Sequence, residues 1–186
     1  MPWHGSTRGR RGSRSPRREE VTLPEPGHTA LDAETLGAAL EREHREIDRA
    51  IESYLAGSVG DETRTRSLAD AMRALRRHIF LEEEFLFPPL RAAGFVAPIF
   101  VMLREHGELW RTMDSIGGAL AAETADSLVP ECRWLLAQLE KHNSKEEPIL
   151  YPHADKVLGA PASAELRTFL ESGRMPENWV CAQAAA

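Results

Sequence analysis

The sequence predicts an all-α protein: an up-down-up-down four-helix bundle with a disordered basic N-terminal arm and a C-terminal tail. Three observations predict it. Apolar residues recur at spacings of three and four in four stretches of similar length between Leu31 and Val157. Short breaks bearing Gly or Pro separate the stretches. No segment alternates with the period of two that marks a half-buried strand.

The first stretch carries Leu36, Leu40, His44, Ile47, Ile51 and Leu55 on one face, and Gly57, Gly60 and Asp61 end it. The second carries Leu68, Met72, Leu75, His78, Glu82 and Phe85 and is expected to stop near Pro88 and Pro89. The third is entered after Pro98 and carries Ile99, Met102, His106, Met113, Ile116 and Leu120, with Gly117 and Gly118 softening its end. The fourth carries Leu128, Leu135, Leu139, His142, Glu146 and Ile149. Residues 30–157 thus form the expected bundle domain, and its halves, 31–93 and 94–157, read as a weak repeat. Residues 158–186 read as a loosely attached extension with a short helix at 162–172, pinned by Phe169 or Trp179.

Composition bounds the function. A chain of 186 residues, 42% hydrophobic and 28% charged, can build one packed domain. A net charge of −6 argues against a global electrostatic grip on nucleic acid. Residues 1–29 are the exception, a basic arm and linker with arginines at 8, 10, 11, 14, 17 and 18, where a nucleic acid or an acidic partner has its one point of attachment. No apolar run reaches the ~18 residues that span a bilayer, so no membrane association is expected. Two cysteines, Cys132 and Cys181, with no CxxC spacing, fit a reducing cytoplasm.

Chemistry enters where histidines interrupt the apolar stripes. His44, His78, His106 and His142 each sit near the middle of a stretch, and Glu82 and Glu146 follow two of them by four residues, hence on the same helix face. Counting outward from loop centres near residues 60, 93 and 124 puts these six side chains at one depth, within a mismatch of about 3 Å along the axis. Ionised glutamates buried there without a partner cost several kcal/mol each, and a cation removes that cost. Four imidazoles and two carboxylates exceed a closed tetrahedral zinc site and suit two ions sharing carboxylate bridges. Mixed nitrogen and oxygen ligation favours iron, with manganese or zinc as competitors.

The segments His78-Ile-Phe-Leu-Glu82-Glu83-Glu84-Phe85-Leu86-Phe87-Pro88 and His142-Asn-Ser-Lys-Glu146-Glu147-Pro148-Ile149-Leu150-Tyr151-Pro152 both match HxxxEExx[LI][FY]P. With Glu43-His44 and Glu105-His106 before them, the order over about residues 31–157 resembles the hemerythrin-like, or HHE cation-binding, family. The resemblance implies a four-helix bundle around a non-haem di-iron centre. In it His44, His78, His106 and His142 are terminal ligands, and Glu82 and Glu146 bridge the irons beside an oxo or hydroxo group. The chain departs from the oxygen-carrying hemerythrins: Met102 stands where their third helix has a first histidine, and His142-x3-Glu146 replaces their HxxxxD. The four-His, two-Glu set resembles the bacterial branch linked to peroxide, nitric oxide or iron-centre repair.

Three functions stay open: redox enzymology on peroxide (catalase-like) or nitric oxide, sensing of oxygen, nitric oxide or iron, and iron storage or donation to damaged iron centres. In each, the partner is a small diatomic or peroxide ligand or an iron acceptor. Oligomeric state is open. Asp48, one turn after His44, is a spare ligand or iron-entry residue, and Met102 lines a dry pocket beside the metals. Glu43, Glu83, Glu105 and Glu147 are expected to carry surface charge or to hydrogen-bond a histidine from behind. Phe80, Phe85, Phe87, Trp110 and Trp134 read as core packing, His153 as a bundle-end residue, and Cys132 as inert.

Overall fold

A computed structural model describes residues 1, 34–58, 62–122 and 128–185. The arginine-rich arm and most of its linker lie outside the described residues. Helices are the only regular structure among those described: α1 (Leu36–Ala56), α2 (Glu62–Leu81), α3 (Phe87–Ala92), α4 (Val96–Ala121), α5 (Val129–Lys145), α6 (Tyr151–Val157) and α7 (Ala160–Ser172). Thr35 caps α1 by accepting the Ala38 N–H at 3.1 Å, satisfying one of the orphan donors of the first turn. Gly94, at φ +100°, turns the chain between α3 and α4, a left-handed conformation that glycine adopts without steric cost.

Each long helix packs on the next. α1 meets α2, α2 meets α4, α4 meets α5, and α5 with α6 returns to α1. This is the ring of an up-down-up-down bundle. Its apolar core is split in two. One group includes Ile51, Leu68, Met113 and Leu135. The other includes Leu40, Leu90, Ile99 and Leu150. The six histidines and glutamates singled out above lie between them, all buried.

The second and fourth helices do not stop at their prolines. Glu82–Leu86 and Glu146–Leu150 each form one π-helical turn, which joins α2 to α3 and α5 to α6. Pro148 lies inside one π turn, and Pro88, Pro89 and Pro152 sit in the first turn of α3 or α6. Proline interrupts the regular ladder because it brings no N–H. The wider turn absorbs the interruption: the N–H of Phe87 reaches back five residues to the Glu82 carbonyl, and that of Tyr151 to the Glu146 carbonyl.

The extra residue rotates everything after it. In an α-helix the inward positions after Glu82 fall at 85, 86 and 89; here Leu86, Phe87 and Leu90 are buried and Phe85 is only half-buried. After Glu146 the shift is the same: Leu150, Tyr151 and Ala154 are buried, while Ile149, expected on the inner stripe, is 46% exposed. Two further expectations are corrected. Trp134 is 47% exposed rather than in the core. The C-terminal extension is not loosely held: Phe169 and Cys181 are buried, and Trp179 packs edge-on against Phe80 and Trp110 at 5.1 and 5.5 Å. Its short helix, expected from 162, starts two residues earlier, after Gly159.

Inserting one alanine after Glu84 would rotate everything beyond it by a further ~100° and swing Leu86, Phe87 and Leu90 off the core. Urea unfolding of that variant should show a loss of about 3–5 kcal/mol, the scale of a large core truncation.

Candidate metal centre

The six side chains arrive from four helices. His44 comes from α1, His78 from α2, His106 from α4 and His142 from α5, while Glu82 and Glu146 open the two π turns. None is more than 4% exposed. Their ligating atoms fall into two groups, each within 4.8 Å: His44, His78, Glu82 and Glu146, and Glu82, His106, His142 and Glu146.

Each glutamate is shared. Glu82 Oε1 lies 3.5 Å from His78 Nε2, and its Oε2 lies 3.3 Å from His106 Nε2. Glu146 Oε1 lies 3.2 Å from His142 Nε2, and its Oε2 lies 3.6 Å from His44 Nε2. Every carboxylate oxygen therefore faces one imidazole, and each carboxylate spans both groups.

Behind each imidazole stands a second glutamate. His78 Nδ1 meets Glu43 at 2.9 Å, His106 Nδ1 meets Glu83 at 2.9 Å, His142 Nδ1 meets Glu105 at 3.0 Å, and His44 Nδ1 meets Glu147 at 3.0 Å. Each of these glutamates neighbours in sequence one of the six inner residues, yet supports an imidazole on the next helix around the bundle. The four pairs close a circuit from α1 to α2, α2 to α4, α4 to α5 and α5 back to α1. A carboxylate at Nδ1 accepts that nitrogen's proton, which leaves the Nε2 lone pair directed at the centre. The outer carboxylates are themselves held: Glu43 by Arg77 at 2.7 Å, and Glu105 by Lys145 at 2.7 and 2.9 Å. Three positions before His142's support on α4 lies the expected lining residue Met102, buried in the second apolar group.

With Nδ1–H pointing outward, the inner layer sets four bare nitrogens against four carboxylate oxygens, acceptor facing acceptor. Glu82 Oε2, His106 Nε2 and Glu146 Oε1 are buried without a hydrogen-bond partner. A cation between them satisfies nitrogen and oxygen together, so the donor set fits metal. Without one, protons take the place of cations. Burial alone would lower His142, but Glu146 and Glu105 carry it up to about 10. His78 and His106 are likewise raised against burial by Glu82 and their outer glutamates. Burial, reinforced by neighbouring His78, pushes His44 down.

One functional group is absent from the sequence reading. The Tyr151 hydroxyl is fully buried and lies 2.8 Å from Glu82 Oε1, 3.0 Å from His44 Nε2, 3.3 Å from Glu146 Oε2 and 3.4 Å from His78 Nε2. Burial and these two carboxylates push its pKa well up, so it is a phenol at neutral pH. The repeat places Phe87 at the matching position, where its ring stacks on His106 at 5.3 Å. The [FY] position of the doubled motif was the signal; read at α-helical phase, it falls off the inner stripe.

On the face of the layer away from Tyr151 lies a cavity of about 10 Å3, room for the centre of roughly one water molecule. Ile47, Leu75 and Leu139 line it, and Asp48 and Asn143 are its polar walls outside the six. Asp48 belongs to neither ligand group. Burial, with Glu52, Glu147 and Glu140 nearby, raises its carboxyl to about 6. His153 lies at the bundle end, its ring 4.5 Å from that of Phe95. Cys132 and Cys181 are free and buried, and burial raises both thiols to about 11, which disfavours thiolate chemistry.

A helical bundle that carries carboxylates and imidazoles inward to one buried layer defines a class, the cation-binding bundle proteins. Within it, the family model described as the hemerythrin HHE cation binding domain matches residues 35–154, and the chain belongs to that family. Among curated relatives, two uncharacterized proteins of Mycobacterium tuberculosis and one of Mycobacterium bovis are 26% identical over 160 residues, covering 74% of this chain. The match spans 63% of the length of those relatives. No solved structure matches the chain significantly. Among the described residues, no helix is long and apolar enough to cross a membrane.

Two outcomes are expected. Glu105→Gln should weaken metal binding about 10–100-fold, read by competition with a chelator. Metal added to the apoprotein at pH 7 should release at least one proton per chain, because His142, held up to about 10 by Glu146 and Glu105, must be neutral to coordinate, and His78 and His106 are raised in the same direction. The apparent affinity should accordingly rise with pH up to about 10, where His142 loses its proton unaided.

Proposed function

We propose that the protein holds two iron ions between His44, His78, His106 and His142, bridged by Glu82 and Glu146, and that the centre carries out redox chemistry on peroxide, oxygen or nitric oxide. The observation that carries this reading is the sharing of both buried carboxylates between two imidazole pairs, at 3.2–3.6 Å on every oxygen. Mixed nitrogen and oxygen donors without thiolate suit iron in two oxidation states. When bound, the iron pair would supply electrons to, or take them from, a small ligand at a coordination position the protein leaves free.

The chain's own residues set the terms of that chemistry. The narrow cavity beside Asp48 and Asn143, with room for roughly one water molecule, excludes large substrates and restricts the centre to the smallest ligands. Tyr151, as a phenol, hydrogen-bonds Glu82 and stands among the donors of the first group, where it can deliver or receive a proton as charge changes. Phe87 offers no proton at the second group, so the two halves of the centre are inequivalent. The outer glutamates orient each imidazole and make its Nε2 a stronger donor, holding the geometry through a change of oxidation state. The four-His layer is enclosed on all sides, which favours retained metal over rapid donation and hence catalysis over storage.

Metal analysis of the purified protein should give two irons per chain, with a near-ultraviolet band in the oxidised state. Added peroxide should yield one oxygen for every two peroxides consumed. Tyr151→Phe should keep both irons and slow turnover about 100-fold or more, the scale of a lost general acid. Zinc retained in place of iron, or iron without any reaction toward peroxide, oxygen or nitric oxide, would sink the reading.

A further inference from the structure

The C-terminal extension reaches two of the four outer glutamates, and does so by its backbone. Arg77 is the first connection. Its Nη1 holds Glu43 at 2.7 Å. Its Nε donates to the Gly173 carbonyl at 3.0 Å and its Nη2 to the carbonyls of Phe169 and Leu170. These carbonyls lie at and just past the end of α7, so one guanidinium holds that helix end and fixes the carboxylate that orients His78.

Glu83 is the second connection. Its Oε1 accepts from His106 Nδ1 at 2.9 Å, and its Oε2 accepts the Ala182 N–H at 2.8 Å. The Glu83 side chain is only 5% exposed. The stretch that covers it is anchored on both sides. Trp179 donates to Glu84 at 2.8 Å, Cys181 is buried in the apolar group of Ile51 and Leu135, and Arg111 holds the Gln183 carbonyl at 3.1 Å. Gly107, next to His106, makes room for the strand: a Cβ there would fall 2.4 Å from the Gln183 carbonyl oxygen. His78 belongs to one ligand group and His106 to the other, so the extension touches both.

We infer that residues 169–183 form a positioning strap for the metal centre, holding His78 through Arg77 and Glu43, and His106 through Glu83. The strap contributes no ligand. It fixes the carboxylates that aim the imidazoles, and its loss lets two of the four turn away from the ions. This inference rests on the two-metal reading above.

Ala182 offers a clean test. It occupies the second position of the turn closed by the Ala184 N–H on the Cys181 carbonyl at 3.1 Å, a position where proline is favoured. Ala182→Pro therefore removes the N–H that Glu83 accepts and leaves the turn compatible, whereas Ala182→Gly keeps the donor. Gly107→Ala displaces the strap from the other side. Full-length chains loaded with iron(II) without oxygen are challenged with a chromogenic chelator, and thermal unfolding is followed in parallel. Ala182→Pro and Gly107→Ala should still bind two irons but release them about three- to tenfold faster, the lower part of the range for groups supporting a metal ligand. Ala182→Gly should match the wild type, and melting temperatures should stay within a few degrees. Release from Ala182→Pro and Gly107→Ala at the wild-type rate would overturn the strap while leaving the metal centre intact. So would equal acceleration in Ala182→Gly. A wild-type chain unable to hold two irons would instead defeat the metal reading itself.

Discussion

Four imidazole nitrogens confront four carboxylate oxygens at 3.2–3.6 Å in a layer cut off from water, and neither side has a proton to offer the other once the outer glutamates have drawn each Nδ1–H away. Each unsatisfied buried acceptor costs about 1–3 kcal/mol, and more where it is charged. The bundle can tolerate this layer only by admitting cations or by protonating its histidines. The glutamates around His78, His106 and His142 raise all three, which favours the second route wherever metal is missing. Metal and proton thus compete for the same lone pairs, which ties metal occupancy to pH.

The circuit of outer glutamates turns a bundle into a frame. Each carboxylate sits on one helix and supports a histidine on the next, so the ligand geometry depends on all four helix contacts at once. A shift of any helix would loosen one imidazole directly and another through its carboxylate. Arg77 and Lys145 hold two of these carboxylates at salt-bridge distance, and the C-terminal extension holds a third by a backbone N–H. The hemerythrin HHE domain here therefore extends its support beyond the matched residues 35–154.

The internal repeat is close to symmetric in backbone and asymmetric in chemistry. Both halves place a glutamate at the start of a π turn and bury the fourth, fifth and eighth residues after it. The fifth is Phe87 in one half and Tyr151 in the other. A hydroxyl in one half only gives the two ligand groups different proton inventories.

Helix count, helix order and the depth of the six inner side chains were all legible from residue spacing, because antiparallel helices joined by short loops translate sequence distance into height. The doubled HxxxEE motif was legible for the same reason. What spacing could not reveal were features that depend on phase or on backbone groups. The π turns shift the inward face by one residue, which took Ile149 and Phe85 out of the core and brought Tyr151 and Phe87 in. The pairing of each outer glutamate with a histidine on the neighbouring helix follows from how the helices are rotated against each other, a quantity that no single helix encodes. The hold on the C-terminal extension rests on carbonyls, one N–H and the missing Cβ of Gly107. Backbone groups are the same in every residue, so only the folded chain decides which of them meet.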